Sequence, residues 1–337
     1  MIKLYKLLFF NSLLLGSLIA ISAYSWLNMW IGLEINLLSI IPLFKAHNNV
    51  YPAEAALKYF IVQALASTMI LFAIIMTLSS SEFMYMPEMQ WFPMILNSAL
   101  FTKMGAAPFH AWFPEVMEGL NWLNSLLLLT WQKLAPMILV MYNLKMTLFL
   151  SIIILISSLI GGILGLNQVS LRKIMAYSSI NHIAWMLASM LTYKMIWLIY
   201  FLIYSSISIN LIIIFNQLNC FYLKQLFSAI NSNKLVKLFF ILNFLSLGGL
   251  PPFLGFLPKW LVVNELINNN FFTISLILIL MTLITLFFYI RITFSTFTLT
   301  SNETIIKVEN FNNFSMIFAN SLILLSLIIC TNLFNFL

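Results

Sequence analysis

Apolar runs of about 20 residues recur along this chain, the length an α-helix needs to cross the hydrocarbon core of a bilayer. In lipid the backbone polar groups must be satisfied internally, so a succession of such runs points to a helical bundle. The spacing predicts eleven helices, over 5–24, 26–45, 54–79, 91–117, 121–143, 146–168, 173–191, 194–218, 236–265, 271–295 and 314–336. Composition agrees. Only 7% of the 337 residues are charged and the mean hydropathy is +1.02, whereas a soluble domain would carry about 25% charged residues. The first run is followed at once by further spans and has no small-residue cleavage site, so it is expected to stay as a helix. The expected fold class is an all-α polytopic membrane protein whose odd helix number puts the termini on opposite sides.

The few charges are distributed unevenly. With those boundaries Lys3, Lys6, Lys45, Lys58, Arg172, Lys173, Lys224, Lys234, Lys237, Arg291 and Lys307 fall on or near the N-terminal side, against Lys145 and Lys194 near the other. That bias puts the N-terminus on the cytoplasm-equivalent side. The net charge of +7 comes from basic residues scattered through short loops, which excludes a nucleic-acid surface. The nine acidic residues are all glutamate, and Phe, Ile, Leu, Asn, Met and Lys abound, the usage of an AT-rich coding sequence such as an organelle genome. Cys220 and Cys330 form no CxxC or metal-spaced set and read as free thiols. There is no GxGxxG, P-loop or cysteine cluster, and the spacing of His110 and His182 does not call for haem.

Two helices share a break. Gly105-Ala-Ala-Pro108-Phe109 with Pro114 aligns with Gly249-Leu-Pro-Pro252-Phe253 with Pro258 at a constant offset of 144 residues. Glycine and proline at these points interrupt the i→i−4 ladder and leave carbonyls without helical partners. Bare backbone at membrane depth is tolerated only where protein buries it or a hydrated cavity adjoins it. Five helix steps separate the copies, so they are expected to cross in opposite senses, as in the inverted repeats of transporters. Shared composition alone could produce two similar kinks; that each copy also carries a lysine, Lys103 and Lys259, favours a true repeat.

Four ionisable residues lie inside otherwise apolar spans: Glu34, Lys103, Lys133 and Lys259. A charge at membrane depth costs at least about 2.5 kcal/mol, so such groups commonly face a polar pathway. Glu34, near the middle of its span, is expected to be protonated or paired, with Lys103 the natural partner; a purely structural ion pair is the plain alternative. Lys133 has no acid within four residues and is the best candidate for a proton carrier. Moving one charge across roughly 150 mV costs about 3.5 kcal/mol, which the range of lysine proton affinities in proteins can match. Lys259 is either a second carrier or a snorkelling side chain. His110 and His182 are weaker candidates for bridging protons, a packing role being equally open to each. His47, beside two asparagines, reads as a loop residue. Glu115 and Glu118 follow the first break, as channel-mouth or solvated acids, Glu54 stands four residues before Lys58 as a helical ion-pair partner, and Arg291 is expected to snorkel.

Over the segments GLEINLLSIIPL, KMGAAPFHAWFPEVMEGL, GLNQVSLRKIMAYSSINH and LGGLPPFLGFLPKW the chain resembles the antiporter-like membrane subunits of respiratory complex I, NADH:ubiquinone oxidoreductase, and among them the chain-2 family. The likeness spans most of the length and is weakest after about residue 295. It implies one antiporter-like transmembrane domain over 1–337, with repeat halves 1–143 and 146–295, two discontinuous helices, and a loop and C-terminal helix over 296–337. It implies a proton relay through Glu34, Lys103, Lys133 and Lys259, with His110 and His182 at family histidine positions. In the mechanism expected, redox energy released elsewhere alters the charge state near Glu34, the Glu34–Lys103 pair opens or closes, and Lys133 exchanges its proton through Lys259. NADH, FMN, iron–sulfur clusters and ubiquinone are implied in other subunits, with no cofactor or metal in this chain. The implied partners are neighbouring membrane-arm subunits and lipids, and the implied location is the mitochondrial inner membrane, N-terminus in the matrix. Members of the wider family have fourteen helices, so the resemblance implies that the first three are lacking here. A Mrp-type cation/proton antiporter subunit and a non-transporting scaffold of the membrane arm are the alternatives.

Overall fold

The computed structural model describes residues 4–45, 49–83, 91–144, 146–230, 234–251, 253–298 and 320–321. Lys3, His47, Lys145, Pro252, Lys307 and Cys330 lie outside them, as does the expected last helix over 314–336 apart from Asn320 and Ser321. Among the described residues the chain forms fourteen helices, and seven helical stretches are long and apolar enough to cross a membrane.

The first compact unit, Met1–Ile153, contains α1 (Leu4–Ser22), α2 (Trp26–Phe44), α3 (Tyr51–Phe83), α4 (Trp91–Met104), α5 (Trp112–Gly119), α6 (Trp122–Leu129), α7 (Trp131–Tyr142) and the start of α8 (Thr147–Gly165). Helix α2 begins where the Ser25 side chain accepts the Asn28 N–H at 3.3 Å, an N-cap that satisfies one orphan donor. Helices α1 and α2 touch through Gly16 and Gly32; a Cβ on Gly32 would lie 2.5 Å from the Ala20 nitrogen, so only a bare backbone fits. Trp131 on α7 donates its indole N–H to Ser17 on α1 at 3.1 Å. Leu57, Ile61, Leu65, Phe72 and Ile75 stand exposed along α3, an apolar outer face suited to lipid.

The second unit, Ile154–Leu337, holds the rest of α8, then α9 (Leu171–Thr192), α10 (Lys194–Leu218), α11 (Leu223–Ile230), α12 (Lys234–Gly248), α13 (Phe256–Asn268) and α14 (Phe272–Thr298). Nearly all of α9 is buried, and α10, α13 and α14 pack against it. The short α11 was not among the expected helices. Leu223, Leu226, Phe227 and Ile230 recur at helical spacing, and Leu226 and Ile230 are buried, but eight residues are far too short to read as a membrane span.

The expected spans 91–117 and 236–265 are each broken, as their glycines and prolines require: α4 stops at Met104 and α12 at Gly248. The expected span 121–143 is broken too, which its residues did not announce. Thr130, with φ −112 and ψ −72, separates α6 from α7, and its hydroxyl donates to the Leu126 carbonyl at 2.8 Å. Such a hydroxyl bond back onto the helix loosens the turn beneath it.

Candidate functional site

Both breaks end in the same backbone device. Gly105 and Gly249 each take φ +76, the left-handed conformation open to glycine. In the first, the Ala106 N–H reaches the Phe101 carbonyl at 3.0 Å and the Gly105 N–H the Thr102 carbonyl at 3.2 Å. In the second, Leu250 reaches Leu245 at 3.3 Å and Gly249 reaches Ser246 at 3.0 Å. These are paired Schellman closures, one at each copy of the sequence motif. A helix that stops in an apolar interior presents the negative end of its dipole, which favours a cation there. Lys103 occupies the last turn of α4. Lys259 reaches the end of α12 from α13, its Nζ donating to the carbonyls of Leu247 at 3.2 Å and Gly248 at 2.9 Å.

The three lysines are deeply buried: Lys103 is 7%, Lys133 1% and Lys259 8% exposed. Lys103 borders a polar cavity with Asn36, Tyr59, Gln63 and Gln132, which leaves about 10 Å³ for a water centre, room for about one molecule. Across this cavity the Tyr59 hydroxyl donates to Gln132 Oε1 at 3.4 Å, and Gln132 Nε2 donates to Asn36 Oδ1 at 2.7 Å. Gln63 Nε2 donates to the Lys103 carbonyl at 3.4 Å. Pro136, which also borders the cavity, has no N–H to give the Gln132 carbonyl, so that oxygen has no i+4 partner. Lys133 follows directly, in the first turn of α7, with its Nζ 5.2 Å from the centre of the Phe113 ring.

The structure separates some pairs that sequence reasoning joined. Glu34 is half-buried on α2 and forms no ion pair with Lys103; its carboxylate attracts that ammonium through space, and Asn36 takes the place at the cavity. Lys58 pairs with Glu115 on α5 at 2.6 Å rather than with Glu54, both side chains about half exposed. His110 sits partly exposed in the first break, its Nδ1 3.3 Å from the Pro108 carbonyl. His182 is buried on α9, its Nδ1 2.9 Å from the Tyr200 hydroxyl and its ring 5.0 Å from that of Tyr204. A second small cavity beside it is lined by Tyr200, Tyr204, Ser246 and Pro258. Arg291 rests its guanidinium on the Leu166 carbonyl. Tyr59, Gln63 and Asn36 went unnoticed in the sequence, because single polar residues on apolar helices are inconspicuous; the one signal was that Tyr59 and Gln63 stand four residues apart, on one face of α3.

Buried lysines at the ends of paired broken helices define a class, the antiporter-like membrane proteins. A family described as the NADH:quinone oxidoreductase/Mrp antiporter transmembrane region matches residues 23–285. NADH-ubiquinone oxidoreductase chain 2 of Anopheles gambiae is 47% identical over 341 residues, covering 97% of this chain and 98% of its own length. Its counterpart in Locusta migratoria is 46% identical over 88% of this chain and 87% of its own length. In fold, a chain of respiratory complex I from Thermus thermophilus superposes with a TM-score of 0.85 at 23% identity, over 96% of this chain and 78% of that one. A chain of the Mrp complex from Dietzia superposes at 0.76 with 15% identity, over 88% of this chain and 61% of that one. The chain belongs to the NADH:quinone oxidoreductase/Mrp antiporter membrane family, as the resemblance in its motifs implied.

Proposed function

We propose that this chain is a proton-translocating membrane-arm subunit of a respiratory complex I, with Glu34, Lys103, Lys133 and Lys259 as the relay and His110 and His182 as secondary stations. The observation that carries the reading is three lysines buried to 8% exposure or less, two of them at the C-terminal ends of broken half-helices. Such seats are wasteful for structure alone, since burying a charge costs several kcal/mol before any pairing.

The chemistry follows from what each group touches. A change of charge near Glu34 alters its attraction for Lys103. The cavity beside Lys103 offers hydroxyl and amide partners to a water, which can carry a proton from that ammonium toward α7. Lys133, one residue past Gln132, receives it. Lys259 is the station of the second unit. Transfer of one charge against roughly 150 mV requires about 3.5 kcal/mol, so the relay runs only while redox chemistry in other subunits drives it. NADH, FMN, iron–sulfur clusters and ubiquinone belong to those subunits, and this chain contributes no redox step. On this reading it lies in the mitochondrial inner membrane with its N-terminus in the matrix, beside other membrane-arm subunits and lipids, and the repeat halves are 1–143 and 146–295.

Lys133→Met in the assembled complex tests the reading: the proton-to-electron ratio is expected to fall, and an unchanged ratio would falsify the relay. The likeness to the Mrp complex favours a second reading, cation/proton antiport. Sodium-dependent transport without quinone-linked partners would support it. Normal pumping after joint neutralisation of Glu34, Lys103 and Lys133 would leave a scaffold.

A further inference from the structure

Helix α12 ends on four carbonyls that a continuous helix would have satisfied. Two are met by backbone: Leu250 donates to Leu245 and Gly249 to Ser246. The other two, on Leu247 and Gly248, accept from Lys259 Nζ. The lysine gets there by lying across Gly249, where an added Cβ would stand 2.8 Å from its Cδ and 2.9 Å from its Nζ. The break in the first unit is closed differently. The carbonyls of Thr102 and Lys103 accept from the Trp112 indole at 3.0 Å and the Gln63 amide at 3.4 Å, both neutral groups. The Lys103 ammonium takes no part in that cap.

We propose that Lys259 is a two-donor clamp on the broken end of α12, seated by Gly249, which stays closed while the lysine exchanges its third proton. An ammonium has three N–H donors and no acceptor. When one proton leaves for a water or a neighbouring base, the amine keeps two N–H bonds and gains a lone pair. Two donors match the two carbonyls, so both hydrogen bonds survive the loss, and the lone pair takes the next proton. The half-helix therefore need not move with each exchange. Among the described residues, groups beside the break that can hold or pass a proton include His182, Tyr200 and Tyr204, which line the small cavity next to Ser246 and Leu247, and Tyr289, which packs on Gly248. The exchange half of the proposal rests on the relay reading above; the clamp half stands without it.

Lys259→Gln, Lys259→Met and Gly249→Ala, each in the purified assembled complex, separate the two halves. Glutamine keeps two N–H donors without a charge, whereas methionine has the same reach as glutamine and no donor. The thermal dissociation midpoint is expected to drop for methionine and for Gly249→Ala, and glutamine should retain at least half of the difference. Assembly of the glutamine variant but not of the methionine variant carries the same meaning. Equal midpoints for glutamine and methionine, equal failure of both to assemble, or a parent-like Gly249→Ala would overturn the clamp. The proton-to-electron ratio is read on the same samples. Loss in both lysine variants, with a displaced pH profile in Gly249→Ala, supports exchange at a seated lysine. Full pumping by Lys259→Gln sinks the exchange half, and with it this station of the relay, while the midpoints still decide the clamp.

Discussion

Gly105→Ala perturbs the first break at a point linked to Lys133. At φ +76 an alanine pays about 1–2 kcal/mol for the left-handed conformation. Its Cβ would also stand 3.1 Å from two atoms of the Phe113 side chain, tight enough that the ring must shift. A ring driven about 30° off its rotamer costs about 0.5–1.5 kcal/mol. Restricting the unfolded chain returns about 0.4–1 kcal/mol, so the net loss is about 0.5–3 kcal/mol. At about 2–4 °C per kcal/mol, the thermal dissociation midpoint of the assembled complex should fall by about 1–12 °C. The same ring lies 5.2 Å from Lys133 Nζ, so proton pumping should fall along with stability. Gly105→Asn is the control, because asparagine tolerates the left-handed region while keeping the same Cβ contact. The measurement is the midpoint together with the proton-to-electron ratio in proteoliposomes. An alanine variant with an unchanged midpoint refutes the strain argument. One that loses stability but pumps normally refutes the link through Phe113.

Tyr59→Phe removes the hydroxyl that holds Gln132 beside Lys103, and it should lower the proton-to-electron ratio at unchanged assembly; pumping equal to the parent's would remove Tyr59 from the path. Cys220, beyond the end of α10, has its thiol pushed up to about 11 because burial disfavours the thiolate. The thiolate is the reactive form and grows with pH, so maleimide labelling at pH 8 in a Cys330→Ser background should be about a hundredfold slower than for a free thiol and still rising at pH 10. A labelling rate that levels off near pH 9 would contradict that burial effect.

Much of this protein is legible along the chain, because lipid imposes rules that are local. An apolar run long enough to span must close its own hydrogen bonds, so the helices of the described residues fall close to the expected ranges, and α10 matches 194–218 at both ends. Glycine and proline act on their own backbone, so the two breaks are legible at Gly105 and Gly249 from the residues alone. The lysines stood out for the same reason: a charge in an apolar run is conspicuous without a partner.

Which groups those lysines meet was a matter for the tertiary structure. Lys58 chose Glu115, 57 residues away, over Glu54 one turn before it, because α3 and α5 pack together. Glu34 remained apart from Lys103, since α2 turns Asn36 toward the cavity instead. The ladder from Tyr59 through Gln132 to Asn36 draws on three helices, and no spacing along one helix could foretell it. Thr130 parts α6 from α7 by a backbone turn, φ −112 and ψ −72, that no sequence pattern records. The sequence by itself determined where the spans lie, where two of them break and which residues carry charge, since each follows from a residue and its near neighbours. Only tertiary packing decided that Lys103 borders a cavity while Lys259 holds the end of its own broken helix, because a side chain takes the partners that other helices bring to it.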